Sequence, residues 1–197
     1  MESSVTGVVL AAGAAERMGS PKLLFPFGGS TILNATLASV EASDVDRVVV
    51  VTGAHASEVE SSIIADRASI VRNPDYRRGN MSSFLTAATA DPAASAFLLV
   101  PGDLPTVQTG IVNQMVVLWR ESGPWAAVTS YADGVGHPLL VSRRALDVAS
   151  RARGEKVLGR ILIESNDERV VHMSVPIRAP RDVNTPADYE ALKDDER

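Results

Sequence analysis

The stretch "VVLAAGAAERMGSPK" at residues 8–22 joins an apolar run to a loop of small residues that holds one arginine and ends on a lysine. The run reads as a strand buried on both faces. Alanines and glycine after it let backbone N–H groups approach an anion closely, and Arg17 and Lys22 bring two positive charges to the same place. That combination suits a triphosphate. The same residues also read as a tight strand-to-helix turn with two solvated cations, and the loop alone does not separate the two. Two familiar phosphate loops are excluded. The glycines at 7, 13 and 19 do not form G-x-G-x-x-G, and no G-x-x-x-x-G-K-[ST] is present.

Working outward, short runs rich in Val, Leu and Ile predict strands over 5–10, 47–52, 69–72, 97–101, 126–130, 138–141 and 170–175. Helical spacing predicts helices over 31–42, 57–65, 82–90, 106–121, 143–150 and 185–192. Ser30-Thr31 and Asn184-Thr185-Pro186 supply helix starts, and Asp44 to Arg47 and Gly53-Ala54 read as turns. The alternation predicts an α/β fold with a mostly parallel central sheet covered on both faces. A length of 197 residues without repeat or linker fits a single domain over 1–197.

Composition narrows the function. A net charge of −5 argues against nucleic acid and acidic membranes as partners, so any bound phosphate belongs to a small molecule in a pocket. The chain has no cysteine, which excludes disulfides and thiolate metal sites. Its first residues lack a signal-peptide pattern and no apolar run reaches membrane-spanning length, so a cytoplasmic protein is expected.

Ligands of open parallel sheets sit beyond the carboxyl ends of the strands. In "LLVPGDLP" at 98–105 a strand delivers Asp103 to that position. The carboxylate is placed either to hold Mg²⁺ together with substrate phosphates or to cap a helix from Thr106. In "RDVNTPADY" at 181–189, Asp182 and Asn184 are two apart and point the same way in an extended segment. They complete a metal or phosphate site, or Asn184 caps the last helix. "RRG" at 77–79 reads as a solvated turn or as a patch for an anionic acceptor. His55 and His172 stand alone and are expected to be surface or helix residues, Trp119 and Trp125 to be core, and "LKDDER" to be a solvated helix end.

Taken in order, "LAAGAAERMGSPKLL" (10–24), "NPDYRRGNMSS" (73–83), "PGDLP" (101–105), "GHPLL" (136–140), "GEKVLGRIL" (154–162) and "DVNTPADY" (182–189) resemble the MobA-like nucleotidyltransferases, and among them the molybdenum cofactor cytidylyltransferases. The resemblance implies a Rossmann-like three-layer sandwich of the nucleotide-diphospho-sugar transferase type. It implies that Leu10, Ala11, Ala12 and Gly13 border the nucleotide and that Arg17 and Lys22 hold the triphosphate. Asn73, Gly79, Ser82 and Ser83 would lie near the nucleotide, His137 and Pro138 near the acceptor, and Asp103 and Asn184 at Mg²⁺. Substrates would be CTP or another nucleoside triphosphate and a phosphorylated pterin cofactor, with a molybdenum enzyme as recipient. Ala12 in "LAAG", where guanosine-transferring relatives have a second glycine, favours CTP.

Three positions depart from the family pattern: Leu104 stands where glutamine is usual, Asn184 where aspartate is usual, and the spacing within residues 154–160 is shifted by one. These leave room for another phosphorylated acceptor such as a sugar phosphate, for a nicotinamide-dependent reductase on the same fold, or for a non-catalytic accessory of a molybdenum enzyme. Joint retention of Arg17, Lys22 and Asp103 favours a transferase.

Overall fold

The computed structural model describes residues 4–14, 20–151, 162 and 167–194. Seven strands form one sheet: β1 (Val5–Ala11), β4 (Arg47–Thr52), β5 (Ala68–Arg72), β6 (Ala96–Pro101), β7 (Ala126–Tyr131), β8 (Gly134–Ser142) and β9 (Val170–Ser174), in the order β5-β4-β1-β6-β8-β7-β9. The two-residue strands β2 (Pro26–Phe27) and β3 (Ser30–Thr31) make a separate small hairpin across Gly28-Gly29. The helices are α1 (Ile32–Glu41), α2 (Ala56–Ser62), α3 (Asn80–Ala90), α4 (Thr109–Ser122), α5 (Arg143–Arg151) and α6 (Pro186–Asp194).

The sheet is mostly parallel, as the sequence predicts, with β8 running against both β6 and β7. The predicted strand at 138–141 is the second half of this longer strand, which returns from β7 through Ala132-Asp133. Alternation along each strand sends residues to two apolar layers. On one face Val5 and Val9 pack with Leu33, Leu37 and Val40 of α1 and with Val112, Met115 and Trp119 of α4. On the other, Val8 packs with Phe84 and Ala87 of α3 and Leu146 of α5. Trp119 lies in the first layer and Trp125 against the second, as expected of core residues. No helix among the described residues is long and apolar enough to cross a membrane.

From β1 the sheet grows through β4 and β5 on one side and through β6 on the other. The order therefore reverses between β1 and β6, and a crevice opens at their carboxyl ends. Gly102 N–H donates to the Leu10 carbonyl at 2.9 Å and ties the two strand ends together.

Candidate functional site

A cavity of about 700 Å³ lies at this switch point. Leu10, Ala12 and Gly13 line it from β1, Pro101 and Asp103 from β6, His55 from the end of β4, Asn80 and Ser83 from α3, His137 from β8 and Asp182 from the C-terminal segment. Lys22 enters from a short 3-10 turn (Lys22–Leu24) whose neighbour Leu23 is buried in the core. That anchor leaves Lys22 pointing into the cavity.

Three residues far apart in the chain meet there. Lys22 Nζ donates to Asp103 Oδ2 at 2.5 Å and to Asn184 Oδ1 at 3.2 Å, and Asn184 Nδ2 donates to Asp182 Oδ2 at 2.8 Å. The Lys22 and Asp103 side chains are only 16% and 14% exposed, so the pair is largely withdrawn from water. The C-terminal segment is fastened to the same point, since Val183 N–H reaches the Asp103 carbonyl at 3.4 Å and the Val183 side chain is buried.

Capping is not what Asp103 and Asn184 do. Helix α4 starts only at Thr109, and the Asp103 carboxylate faces Lys22 instead. On α6 the reciprocal contacts belong to Thr185 and Asp188: Asp188 N–H donates to Thr185 Oγ1 at 3.2 Å, while Asp188 Oδ2 accepts from Thr185 N–H at 2.7 Å and Asn184 N–H at 3.0 Å. The Asn184 side chain instead lies between Lys22 and Asp182. Leu104 turns away from it into the core at 3% exposure, so glutamine's absence there removes no side chain from the cavity wall.

His137 owes its position to a bulge. Val128 pairs with Leu139 but Thr129 pairs with Gly136, so His137 and the cis-linked Pro138 have no partner on β7. Their carbonyls are taken by Tyr131 OH at 2.6 Å and Thr129 Oγ1 at 2.8 Å. Pro138 is buried there, off the cavity wall, and His137 faces the cavity half-buried. Burial holds the imidazole below its usual pKa against the pull of the Asp103 and Asp182 carboxylates, which keeps it neutral near pH 7. Tyr131 is itself buried, which raises its phenol to about 12.

The segment at 73–83 splits between two places. Ser83 and Asn80 line the cavity, whereas Asn73 and Ser82 line a neighbouring groove. Asn73 Nδ2 donates to both Ser82 Oγ and Ser83 Oγ at 2.9 Å, a lock that sets the start of α3. Gly79 precedes that helix at φ 91°, a conformation that disfavours any side chain. Ala11 is buried in β1, and Arg17 and the motif at 154–160 lie outside the described residues.

Tyr76 and Asn80, which the sequence does not single out, also line the wall, as do His55 and Arg77 of the "RRG" stretch. His55 was expected at a surface or in a helix. It is exposed, just before α2, and is the one non-glycine among the described residues with positive φ, 54°. Tyr76 comes close because Gly53 makes room. A Cβ on Gly53 would stand 2.7 Å from Tyr76 Cβ and 2.8 Å from Ala12 Cβ. His172 is exposed on β9, with Nδ1 2.9 Å from Ser130 Oγ.

The donor set bears on a cation. Asp103, Asp182 and Asn184 offer oxygens only, the preference of a hard divalent ion. Among the described residues no group of three or more His, Cys, Asp or Glu side chains comes together. An ion held by these residues would draw its remaining ligands from substrate oxygens or water, as Mg²⁺ sites on one or two carboxylates do.

The end of β1, a lysine and a carboxylate thus meet at the switch point of a mostly parallel sheet. The chain belongs to the family of the MobA-like NTP transferase domain, whose model matches residues 7–170. It is 29% identical over 197 residues to the molybdenum cofactor cytidylyltransferase of Escherichia coli (strain K12), covering 98% of this chain and 97% of that one. It is 32% identical over 143 residues to the nicotine blue oxidoreductase of Paenarthrobacter nicotinovorans, covering 70% of each. The crystal structure of Rv0371c from Mycobacterium tuberculosis H37Rv matches with a TM-score of 0.87 at 30% identity, over 98% of this chain and 100% of that one. A second crystal structure of Rv0371c is a complex with manganese, with a TM-score of 0.80 at 30% identity over 96% and 97% of the two chains.

Proposed function

We infer that this nucleotidyltransferase binds CTP in the switch-point cavity and transfers CMP to the phosphate of a molybdopterin-type cofactor, releasing pyrophosphate. The observation that carries the reading is the meeting of Lys22, Asp103 and Asn184 at one end of a cavity walled by Ala12 and Gly13. A triphosphate requires close backbone approach and a cation, and both are present there. Arg17, from the same loop, adds a second positive charge to the triphosphate. The Ala12 methyl narrows the wall where guanosine-transferring relatives have glycine, which favours a pyrimidine.

Asp103, Asp182 and Asn184 would hold Mg²⁺, whose contribution when bound is to polarise phosphate oxygens. An oxygen of the acceptor phosphate attacks the α-phosphorus in line, a new P–O–P linkage forms, and the bond to the β-phosphate bridging oxygen breaks so that its electrons leave on pyrophosphate. The acceptor monoester is already an anion near neutral pH, so the chain needs no strong base and acts through position and charge. Lys22 stabilises the charge that grows around the α-phosphate and the leaving group. His137, neutral and carried by the β8 bulge, faces the acceptor.

The test is pyrophosphate release from CTP, GTP, ATP and UTP with the pterin acceptor and with sugar phosphates. CTP with the pterin should be fastest; equal or better turnover with a sugar phosphate would move the acceptor to that class. A reductase is the second reading, favoured by the 32% identity to nicotine blue oxidoreductase. Melting curves with each triphosphate and with NADPH, with and without Mg²⁺, separate them, because a ligand of the folded state alone raises Tm. A shift with NADPH and none with CTP would overturn the transferase.

A further inference from the structure

The described residues that line the cavity carry little permanent positive charge. Among the described residues lining it, Lys22 and Arg77 are cations and Asp103 and Asp182 are anions. Lys22 already faces Asp103 and Asn184. Arg77 is exposed, and among the described residues its guanidinium meets no carboxylate; it lies over the Tyr76 ring with Cζ 5.6 Å from the centroid.

Its neighbour Arg78 goes elsewhere. Both belong to the 3-10 turn Tyr76–Arg78, in which successive side chains are about 120° apart around the axis. Arg78 lines the groove shared with Asn73, Ser82 and Thr86, and its Nη1 is 3.7 Å from Asp75. The turn that sends Arg77 to one side is set by Tyr76, which is seated against Gly53. Arg77 is thus carried on the α3 side of the cavity, beside Asn80 and Ser83, while Lys22 stands at the carboxyl end of β6.

We propose that Arg77, and not Arg78, is a phosphate-binding residue of this cavity, gripping the anionic oxygens of bound substrate from the wall away from Asp103. The proposal rests on the nucleotidyltransferase reading. A nucleoside triphosphate stays anionic even with a divalent cation bound, and the described charges of the free cavity cancel. A guanidinium that no carboxylate among the described residues neutralises adds attraction to that of Lys22 and Arg17, and its planar fork suits two phosphate oxygens at once. The phosphate belongs either to the nucleotide or to the phosphorylated acceptor.

The experiment is calorimetric titration of the wild type, Arg77→Ala, Arg77→Lys and Arg78→Ala. The probes are Mg-CTP, cytidine, and inorganic phosphate added to protein saturated with Mg-CTP. Arg77→Ala should weaken Mg-CTP about tenfold or more, the worth of a charged hydrogen bond, and leave cytidine unchanged. Arg77→Lys should recover part of the loss, and Arg78→Ala should stay within about twofold of wild type. Loss of inorganic phosphate binding alone in Arg77→Ala would support the proposal with the acceptor as the source. No loss for either probe, or an equal loss in Arg78→Ala, overturns it. A wild type that binds no nucleoside triphosphate would instead sink the nucleotidyltransferase reading, and this proposal with it. Both arginines are exposed, so an unchanged Tm in each variant confirms that folding is not the cause.

Discussion

Changing Asp103 to asparagine keeps the shape of the side chain and removes its charge, so that the Lys22 ammonium, on a side chain only 16% exposed, faces the neutral amide carbonyls of positions 103 and 184 in place of a carboxylate. A hydrogen bond to a charged group contributes about 1.5–3 kcal/mol, and breaking a fully buried ion pair costs about 3–5 kcal/mol. This pair opens on a cavity, so the loss should be near the lower figures, about 1–3 kcal/mol. For a chain of this size that lowers Tm by roughly 2–10 °C. Urea unfolding of the wild type, Asp103→Asn, Lys22→Met and the double variant isolates the pairwise energy. It should be about 1–3 kcal/mol, with the double variant less impaired than the sum of the singles. A coupling below about 0.5 kcal/mol between folded variants would refute the reasoning, since a withdrawn pair in direct contact should not be independent. Both single variants should also lose most of the Tm rise with Mg-CTP.

Gly53→Ala should cost about 1–3 kcal/mol by overpacking, because its Cβ would meet Ala12 and Tyr76 at under 3 Å, and chemical denaturation measures it. The same variant should bind Mg-CTP more weakly, because both neighbours line the cavity. Leu104→Gln, although it restores the family's usual residue, should destabilise by about 1–3 kcal/mol because the amide enters the core; an unchanged Tm with higher turnover would contradict the placement. The Tyr131 phenol, raised to about 12, releases its proton later in the folded than in the unfolded chain. Its contribution is whole below about pH 10 and declines as pH rises from there through 12. Absorbance titration of the three tyrosines should show one late phenol that vanishes in Tyr131→Phe. Thr185→Ala should lose about 1 kcal/mol with the α6 cap, read by thermal unfolding.

The strands were legible because burial on both faces leaves unbroken apolar runs: Val48 to Thr52 is entirely buried in β4. The β8 direction is legible in the sequence as well. Asp133-Gly134 between two apolar stretches is a hairpin dipeptide, and it makes β8 antiparallel. Near the cavity, local pattern was a poorer guide. Helix α3 begins two residues before the predicted start, and the winding of one turn decides that Asn80 and Ser83 face the cavity while Ser82 faces the groove. His55 looked like a stray histidine because its meaning depends on where the end of β4 lies beside β1.

What the sequence by itself determined is the local chemistry: which runs are strands, which residues carry charge beyond them, and the motifs that align the chain with its family. Side-chain periods of two and 3.6 residues and the small-residue loop are written in near neighbours. Only the tertiary structure decided that Lys22 meets Asp103 across 81 residues and Asn184 across 162, and that Arg77 and Arg78 part company. Those facts follow from a sheet that reverses its order between β1 and β6 and gathers distant loops at one crevice, and no neighbour in the chain records where that crevice falls.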